Sequence, residues 1–216
     1  MRRRSDAADS APCLPINDDC WPSEISDMRN GFAGTMNSYR TMALHPALLR
    51  AWAPLRRHVV KDNALGPTRS ELVVLRAAYR LRSDYEWKHH VSRARAIGFS
   101  DERIRAMCGT PDGEDGLIAR AVDALFDERR LPSALEAELS AAIGRRAVFD
   151  LIATVGFYST LGYLVMTYDT PFDEAIAIEL AARPLSPPVE DACTSDEGLR
   201  KYCCSDGEDV AGYLRD

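Results

Sequence analysis

The chain has 216 residues, a hydrophobic fraction of 46% and a formal net charge of −6. This length suffices for one domain with a full core, and the negative charge disfavours nucleic-acid binding, which needs a basic surface. Residues 2–4 are arginines but no apolar segment follows them, and the most apolar stretch, residues 148–166, contains polar residues and glycines, so a cytoplasmic protein without a membrane span is expected.

Two polar tails are predicted to flank one helical domain. Residues 1–22 are polar and aperiodic, which predicts a disordered or loose N-terminal arm. Residues 184–216 begin with several prolines and continue with acidic and small residues, which predicts a polar, Cys-containing C-terminal tail. Between them, residues 23–183 lack the alternation of β-strands. This segment is therefore predicted to be an all-α, compact helical bundle.

Capping signals mark the expected helix starts. Thr68, Ser83 and Ser133 each precede a glutamate by three residues, as in a capping box, and Ser100 precedes two acidic residues. Together with helical periodicity, these signals predict helices over residues 25–43, 46–62, 68–82, 84–97, 101–108, 114–129, 133–143 and 145–168. The last helix is more apolar than one small bundle requires, which indicates a subunit interface.

The six cysteines do not predict a metal site. They form no C-x-x-C pair, and no histidine lies near any of them in sequence. Cys203 and Cys204 could bind a soft metal or form a strained disulfide. Two free thiols are the simpler interpretation in a cytosolic chain.

The segment SDYEWKHH, residues 83–90, contains the densest group of chemically active side chains. Glu86 and His90 are four residues apart and share one helix face, which Arg93 continues. A carboxylate and an imidazole beside apolar residues can act as an acid/base pair. The alternative is that Glu71 and Glu86 only cap their helices and that His90 is a surface or satisfied core residue.

The remaining histidines have structural interpretations. His89 lies about 100° around the helix from His90 and is expected to face solvent or an interface. His45 stands before Pro46 at a helix entrance, and His58 lies among basic residues on a solvated face. From these residues alone, the function stays open between an enzyme and a non-catalytic helical module.

Two runs, YRTMALHPALLRAWAPL and RSELVVLRAAYRLRSDYEWKHHVSRARAIGFSDERI, resemble the carboxymuconolactone decarboxylase-like branch of the alkylhydroperoxidase D-like superfamily. The resemblance extends over residues 30–170, and its most specific part is E-W-x-x-H followed by A-R-x-x-G and S-D-E-x-I. It implies the all-α alkylhydroperoxidase D-like fold in a homo-oligomer, such as a trimer or a hexamer.

Peroxidase members of this superfamily have a glutamate followed by a C-x-x-C-x-x-x-H block. If Glu71 corresponds to that glutamate, the two cysteine positions fall on Ser83 and Glu86, and the histidine position falls on His90. Peroxidase chemistry requires a thiolate, so this activity is disfavoured. A cysteine-dependent antioxidant function using Cys108 or a tail thiol is kept as an alternative.

The decarboxylase branch implies a cofactor-free reaction on a small, anionic, unsaturated cyclic or lactone acid. Loss of CO₂ leaves a dienolate, which must be stabilised and then protonated on carbon. By the resemblance, His90 is the acid/base residue, Glu86 is its partner or a second proton-transfer group, and Glu71 orients His90. A related isomerase and a non-catalytic assembly module stay open as well.

Five further residues are candidates for binding the substrate. Either of two arginines could hold a substrate carboxylate, and two aromatic residues could line the pocket. The fifth candidate is the serine hydroxyl at the first cysteine position. These candidates are Arg93, Arg76, Tyr85, Trp87 and Ser83. The predicted helix 145–168 could add Tyr158 or Asp150.

Overall fold

A computed structural model describes residues 15–186, so the greater part of both predicted tails, residues 1–14 and 187–216, lies outside the described residues. Throughout residues 15–186 the regular structure is helical and no strand occurs, which confirms the all-α prediction. A 3₁₀ helix, Ser23–Met28, comes first, and a π-helical turn, His58–Asp62, follows α3. The α-helices are α1 (Phe32–Thr35), α2 (Asn37–Met42), α3 (Pro46–Arg57), α4 (Gly66–Leu81), α5 (Asp84–Ala96), α6 (Asp101–Ala106), α7 (Gly113–Asp127), α8 (Ser133–Ile143), α9 (Arg145–Thr167) and α10 (Glu174–Ala182).

The predicted helices beyond residue 45 correspond to α3–α9, with ends that differ by a few residues at most. The single helix predicted over residues 25–43 is wrong, because the backbone is extended at Gly31 and Met36 and divides the segment into short pieces. These pieces pack very closely. A Cβ atom on Gly34 would lie 1.8 Å from the carbonyl oxygen of Arg29, so only glycine fits there. Helix α10 was not predicted.

Two predicted helix caps are present. The Ser83 hydroxyl accepts a hydrogen bond from the backbone N–H of Glu86 at 3.4 Å, and Ser100 does the same for Arg103 at 3.2 Å. Each bond satisfies an amide that has no partner within its own helix. Helices α5 and α6 therefore begin where their sequences indicate.

The two remaining capping boxes are wrong. Helix α4 already begins at Gly66, so Thr68 lies inside its first turn, and Ser133 is the first residue of α8 rather than its cap. Neither helix has a side-chain cap at its N-terminus. Glu71 is consequently available for a contact outside its own helix.

Two apolar cores meet at α4 and α9. The main core lies among α4, α5, α7, α8 and α9 and includes Trp87 and Leu151. The second core joins the N-terminal helices to α9 and contains Tyr39, Phe157 and Tyr158. Helix α4 contributes side chains to both cores and therefore lies at the boundary between them.

The first and last described residues are held against the bundle. Ile16 is buried, and its carbonyl accepts a hydrogen bond from Arg40 at 2.7 Å. The Trp87 indole N–H donates to the carbonyl of Leu185 at 3.0 Å. Residues 15–22 were expected to belong to a loose arm, but through Ile16 they contact the helical bundle.

Helix α9 has the length and hydropathy of a membrane-spanning helix, which the sequence analysis did not expect. Half of its most apolar window is buried inside the bundle, so packing within the protein accounts for much of this hydropathy. On its outer side, Phe149 is 69% and Tyr163 58% exposed, and Ile152 and Met166 are also exposed. Helix α9 therefore presents an apolar stripe that residues 15–186 do not cover.

Candidate active site

The hairpin formed by α4 and α5 brings Glu71 to His90. Arg82 ends α4 in the left-handed conformation, with φ 55°, and Ser83 caps α5 immediately afterwards. Across this short turn, His90 Nδ1 lies 2.6 Å from Glu71 Oε2. A carboxylate can only accept, so this contact assigns the Nδ1–H tautomer and leaves Nε2 as an acceptor.

Glu86 faces the opposite nitrogen of the same imidazole. Its Oε2 lies 3.7 Å from His90 Nε2, and each of these two side chains is 3% exposed. Its second oxygen, Oε1, is buried without a hydrogen-bond partner within the described chain. Burial raises the pKa of Glu86 to about 8, although Arg93 acts in the opposite direction. The carboxyl is therefore mostly protonated at pH 7 and can donate a proton towards Nε2.

His90 is correspondingly held neutral. Burial lowers its pKa, and this effect exceeds the opposing influence of Glu71. A neutral imidazole lies between a hydrogen-bonded carboxylate and a protonated carboxyl at 3.7 Å, an arrangement that suits acid/base chemistry. The structure thus brings together the three residues that the sequence named as catalytic candidates.

Tyr158 of α9 covers the ring of His90. The two rings meet edge to face, with centroids 4.9 Å apart. One helical turn later, Gly162 allows α9 to approach the α4–α5 turn, since a Cβ atom there would lie 3.2 Å from Leu81 Cδ1. Tyr158 therefore joins the site. Asp150 does not, because its two oxygens contact His58 and a backbone amide instead.

Arg93 supplies positive charge next to the pair. It lies one turn after His90, is half-buried, and contacts Met36 Sδ at 3.8 Å. No carboxylate forms an ion pair with it in the described part of the chain. Burial lowers its pKa, but the nearby Tyr158, Glu71 and neighbouring groups raise the pKa by more, so it stays charged. A half-buried guanidinium without an acidic partner can bind an anionic oxygen of a ligand.

Two residues that the sequence analysis missed complete this region. Tyr39 of α2 is buried, and burial raises its pKa to about 12, with Glu86 contributing to the increase. The guanidinium of Arg56 lies over the rings of Phe32, at 4.0 Å, and Tyr39, at 5.3 Å. Tyr39 is part of the first run with family resemblance, but the incorrect helix over residues 25–43 concealed the direction of its side chain.

Arg76 is engaged in contacts within the protein. It forms a bidentate ion pair with Asp123, at 2.8 and 2.6 Å, and donates to the carbonyls of Met107 and Gly109. These contacts use its donors to join α4 to α7 and to the loop after α6. These contacts disfavour the predicted role of Arg76 in holding a substrate carboxylate, which stays a prediction.

The remaining substrate-binding candidates also lie away from the His90 ring. Ser83 serves as a helix cap, and Trp87 is 1% exposed in the main core. The Tyr85 hydroxyl accepts from the backbone N–H of Ser38 at 3.1 Å and lies 3.3 Å from Asp173. Each of these side chains has a structural contact, which disfavours a role in the pocket, and for Trp87 a core role was the expected alternative.

His89 is buried, contrary to the expectation that it faces solvent or an interface. Its Nδ1 lies 2.7 Å from the carbonyl oxygen of Tyr85, and its Nε2 lies 2.9 Å from Asp173 Oδ2. Adjacent histidines on α5 thus have different environments. His90 faces Glu71 and Glu86, whereas His89 ties α5 to the segment before α10.

The described cysteines, Cys20 and Cys108, are both free. Burial raises the pKa of Cys108 to about 11, with Arg76 opposing the shift, so its thiol is protonated at neutral pH. Such a thiol is a poor nucleophile. Over residues 15–186, no group of three or more His, Cys, Asp or Glu side chains is arranged to hold a metal ion.

Residues 46–126 match the model of the carboxymuconolactone decarboxylase family. The match includes Glu71, Glu86, His90 and Arg93, and it excludes Tyr39 and Tyr158, which come from flanking helices. The resemblance inferred from the sequence is confirmed, and the helical fold agrees with the alkylhydroperoxidase D-like class. No curated protein and no solved structure gives a significant match to the chain.

Proposed function

We propose that this chain, which over residues 46–126 is a member of the carboxymuconolactone decarboxylase family, is a cofactor-free lyase acting on a small unsaturated cyclic or lactone acid. The observation that supports the proposal is the environment of Glu86. It is a buried carboxyl with a pKa of about 8, beside a neutral imidazole that a second carboxylate orients. A protonated carboxyl of this kind is a suitable general acid near neutral pH.

In the proposed reaction, the bond between the substrate and its carboxylate breaks and CO₂ leaves. The electron pair moves into the conjugated system and places negative charge on the carbonyl oxygen, where Arg93 stabilises it. Glu86 then transfers its proton to carbon. The product is the substrate with hydrogen in place of the carboxylate.

His90 restores the proton on Glu86. The ionised carboxylate of Glu86 is costly in its buried position, which favours prompt reprotonation. His90 takes from the solvent, at Nε2, the one proton that the overall reaction consumes, becomes an imidazolium stabilised by Glu71, and passes the proton to Glu86. The contact at 2.6 Å between His90 Nδ1 and Glu71 Oε2 fixes the ring for this transfer.

An isomerase is the second candidate. The facing arrangement of a neutral imidazole and a protonated carboxyl, at 3.7 Å, supplies a base and an acid within one site. Removal of a proton by His90 and delivery by Glu86 would move a double bond without loss of CO₂.

A screen of small unsaturated lactone acids and related cyclic acids in deuterated water tests the proposal. We expect one acid to release CO₂ in equal amount to the substrate consumed, with deuterium at one product carbon in the NMR spectrum. The Cys108→Ala variant should retain this turnover within about twofold, because a buried protonated thiol takes no part in it.

The possible results of this screen are distinct. Deuterium incorporation without CO₂ release would establish the isomerase instead. Turnover of peroxide alone, lost in Cys108→Ala, would establish the antioxidant function and contradict the lyase. A chain with no turnover on any acid would match the non-catalytic module.

We further propose that the chain forms a homo-oligomer through α9. Its exposed residues follow a heptad pattern, with Phe149, Gly156 and Tyr163 seven residues apart and with Ile152 and Met166 three residues after the first and the last of them. Such spacing aligns side chains along one side of a helix and suits pairing with a second helix. A large uncovered apolar stripe is also uncommon on a monomer.

Light scattering coupled to size-exclusion chromatography tests this interface. We expect the wild-type chain to have a mass of at least two copies and Phe149→Glu to shift the mass towards one copy, because a charge would be buried in the interface. Ile178→Glu is the matched control, since Ile178 is 64% exposed on α10. A monomeric wild type, or equal effects of both variants, would contradict the proposal.

A further inference from the structure

A groove of about 730 Å³ opens among the N-terminal helices. Its walls come from the 3₁₀ helix, α1, α3 and the π-helical turn, and its apolar surface includes Phe32 and Pro54. We call it the basic groove. Its charged residues are Asp27, Arg50, Arg56, Arg57, Lys61 and Asp62.

The basic groove has an excess of positive charge. Arg50 forms a bidentate ion pair with Asp27, and Arg57 pairs with Asp62 at 3.2 Å. These contacts account for both acidic residues of the groove. Arg56 and Lys61 have no ion pair in the described part of the chain. The whole chain has a net charge of −6, so the groove is a local exception. Its positive charge favours an anionic ligand.

Arg56 is positioned before any ligand binds. Its guanidinium lies over the rings of Phe32 and Tyr39, which restricts its orientation. Its Nε is buried and has no hydrogen-bond acceptor within the described residues. A buried N–H without an acceptor is unfavourable. An anion in the groove could offset that cost.

Tyr39 connects the basic groove to the acid/base pair. One side of its ring contacts Arg56, and its pKa responds to the charges of Glu86 and Arg93. Trp52, one turn before Arg56 on α3, stacks on Phe157 with ring centroids 4.5 Å apart. Tyr39 and Phe157 belong to the same buried core as Tyr158, which covers His90.

We propose that the basic groove binds an extended acid, an apolar chain that ends in a carboxylate. The chain would pack on Phe32 and Pro54, and the carboxylate would bind Arg56 within the field of Lys61. The groove is larger than a small lactone acid needs and combines apolar and cationic surfaces, which suits such a ligand. This inference does not depend on the proposed function, because none of the residues that line the groove belongs to the acid/base pair.

Calorimetric titration of the full chain with suberate, an eight-carbon dicarboxylate, tests the groove without requiring turnover. Suberate should bind at least about tenfold more tightly than succinate, which lacks most of the apolar segment. Arg56→Gln should weaken suberate binding at least about tenfold, since it removes a charge-assisted hydrogen bond, and Arg56→Lys should weaken it less. Arg105→Gln, with the same change of charge on the exposed side of α6, should change the affinity by less than about twofold.

Three results would overturn the inference: no suberate binding to the wild type, equal affinity for suberate in Arg56→Gln, or equal weakening by Arg105→Gln. Circular dichroism of each variant verifies the fold, and Arg56→Lys provides a second measurement if Arg56→Gln is unfolded. Glu86→Gln separates this inference from the proposed function. It should retain suberate binding even if no acid is ever turned over.

Discussion

Glu86→Gln is expected to lower kcat by about 10²–10⁴-fold while the fold stays intact, because the variant removes the proton that the reaction delivers to carbon. Glutamine has nearly the same shape and needs no proton to remain neutral in the buried site. The measurement is CO₂ release from the acid identified in the screen. Glu128→Gln, at an exposed position at the end of α7, is the matched control and should retain full turnover.

The same variant has a distinctive effect on stability. Burial raises the pKa of Glu86 from its usual 4.5 to about 8, so the folded chain binds a proton that the unfolded chain has already released in this range. Stability is consequently lost as the pH rises from about 4.5 through 8. The Glu86→Gln substitution removes this loss. We expect the free energy of unfolding of the variant to gain about 2 kcal/mol relative to wild type between pH 6 and pH 9 in urea titrations.

Two outcomes would contradict the role of Glu86. Unchanged kcat in Glu86→Gln would mean that another group protonates the carbon. A stability difference that does not vary with pH would mean that Glu86 is ionised in the folded chain and cannot be the general acid. The wild-type rate should also fall above about pH 8, as the carboxyl loses its proton.

His90→Ala is expected to lower kcat by a similar factor of about 10²–10⁴, since both the relay to Glu86 and the partner of Glu71 are removed. The variant should also lose stability, because it leaves Glu71 Oε2 without its bond at 2.6 Å and opens a space beneath Tyr158. Steady-state kinetics at a temperature where circular dichroism shows a folded chain separates the two effects.

His89→Ala is the matched control for this variant. The residue is of the same type, adjacent and equally buried, but it contacts the Tyr85 carbonyl and Asp173 rather than the acid/base pair. Its loss should lower the free energy of unfolding by about 1–3 kcal/mol and leave kcat nearly unchanged in the folded fraction. Retention of turnover in His90→Ala, or equal losses of kcat in both variants, would refute the assignment.

Local patterns were sufficient for much of α5. The hydroxyl of Ser83 caps α5, and a spacing of four residues places Glu86 and His90 on one face in any α-helix. These features depend only on residues that are close to one another in sequence. They could therefore be predicted from sequence without knowledge of the packing.

The rest of the site depends on partners that are distant in sequence. Arg76 and Arg93 look equivalent on their helices, yet Asp123 from α7 binds the first and no carboxylate of the described chain binds the second. Glu71 fits a capping box, but α4 begins before that box, so the Glu71 side chain binds His90 instead of capping its own helix. Tyr39 could not be placed because extended backbone at Gly31 and Met36 breaks its segment into short helices.

The contact between Glu71 and His90 spans only 19 residues of chain, across one tight reversal at Arg82. Closing so short a segment loses little conformational entropy, and contacts of this kind arise early when a chain collapses. The reactive geometry is thus a local property of one helical pair. Insertions or sequence drift in distant connections could reshape ligand preference without disturbing the chemistry.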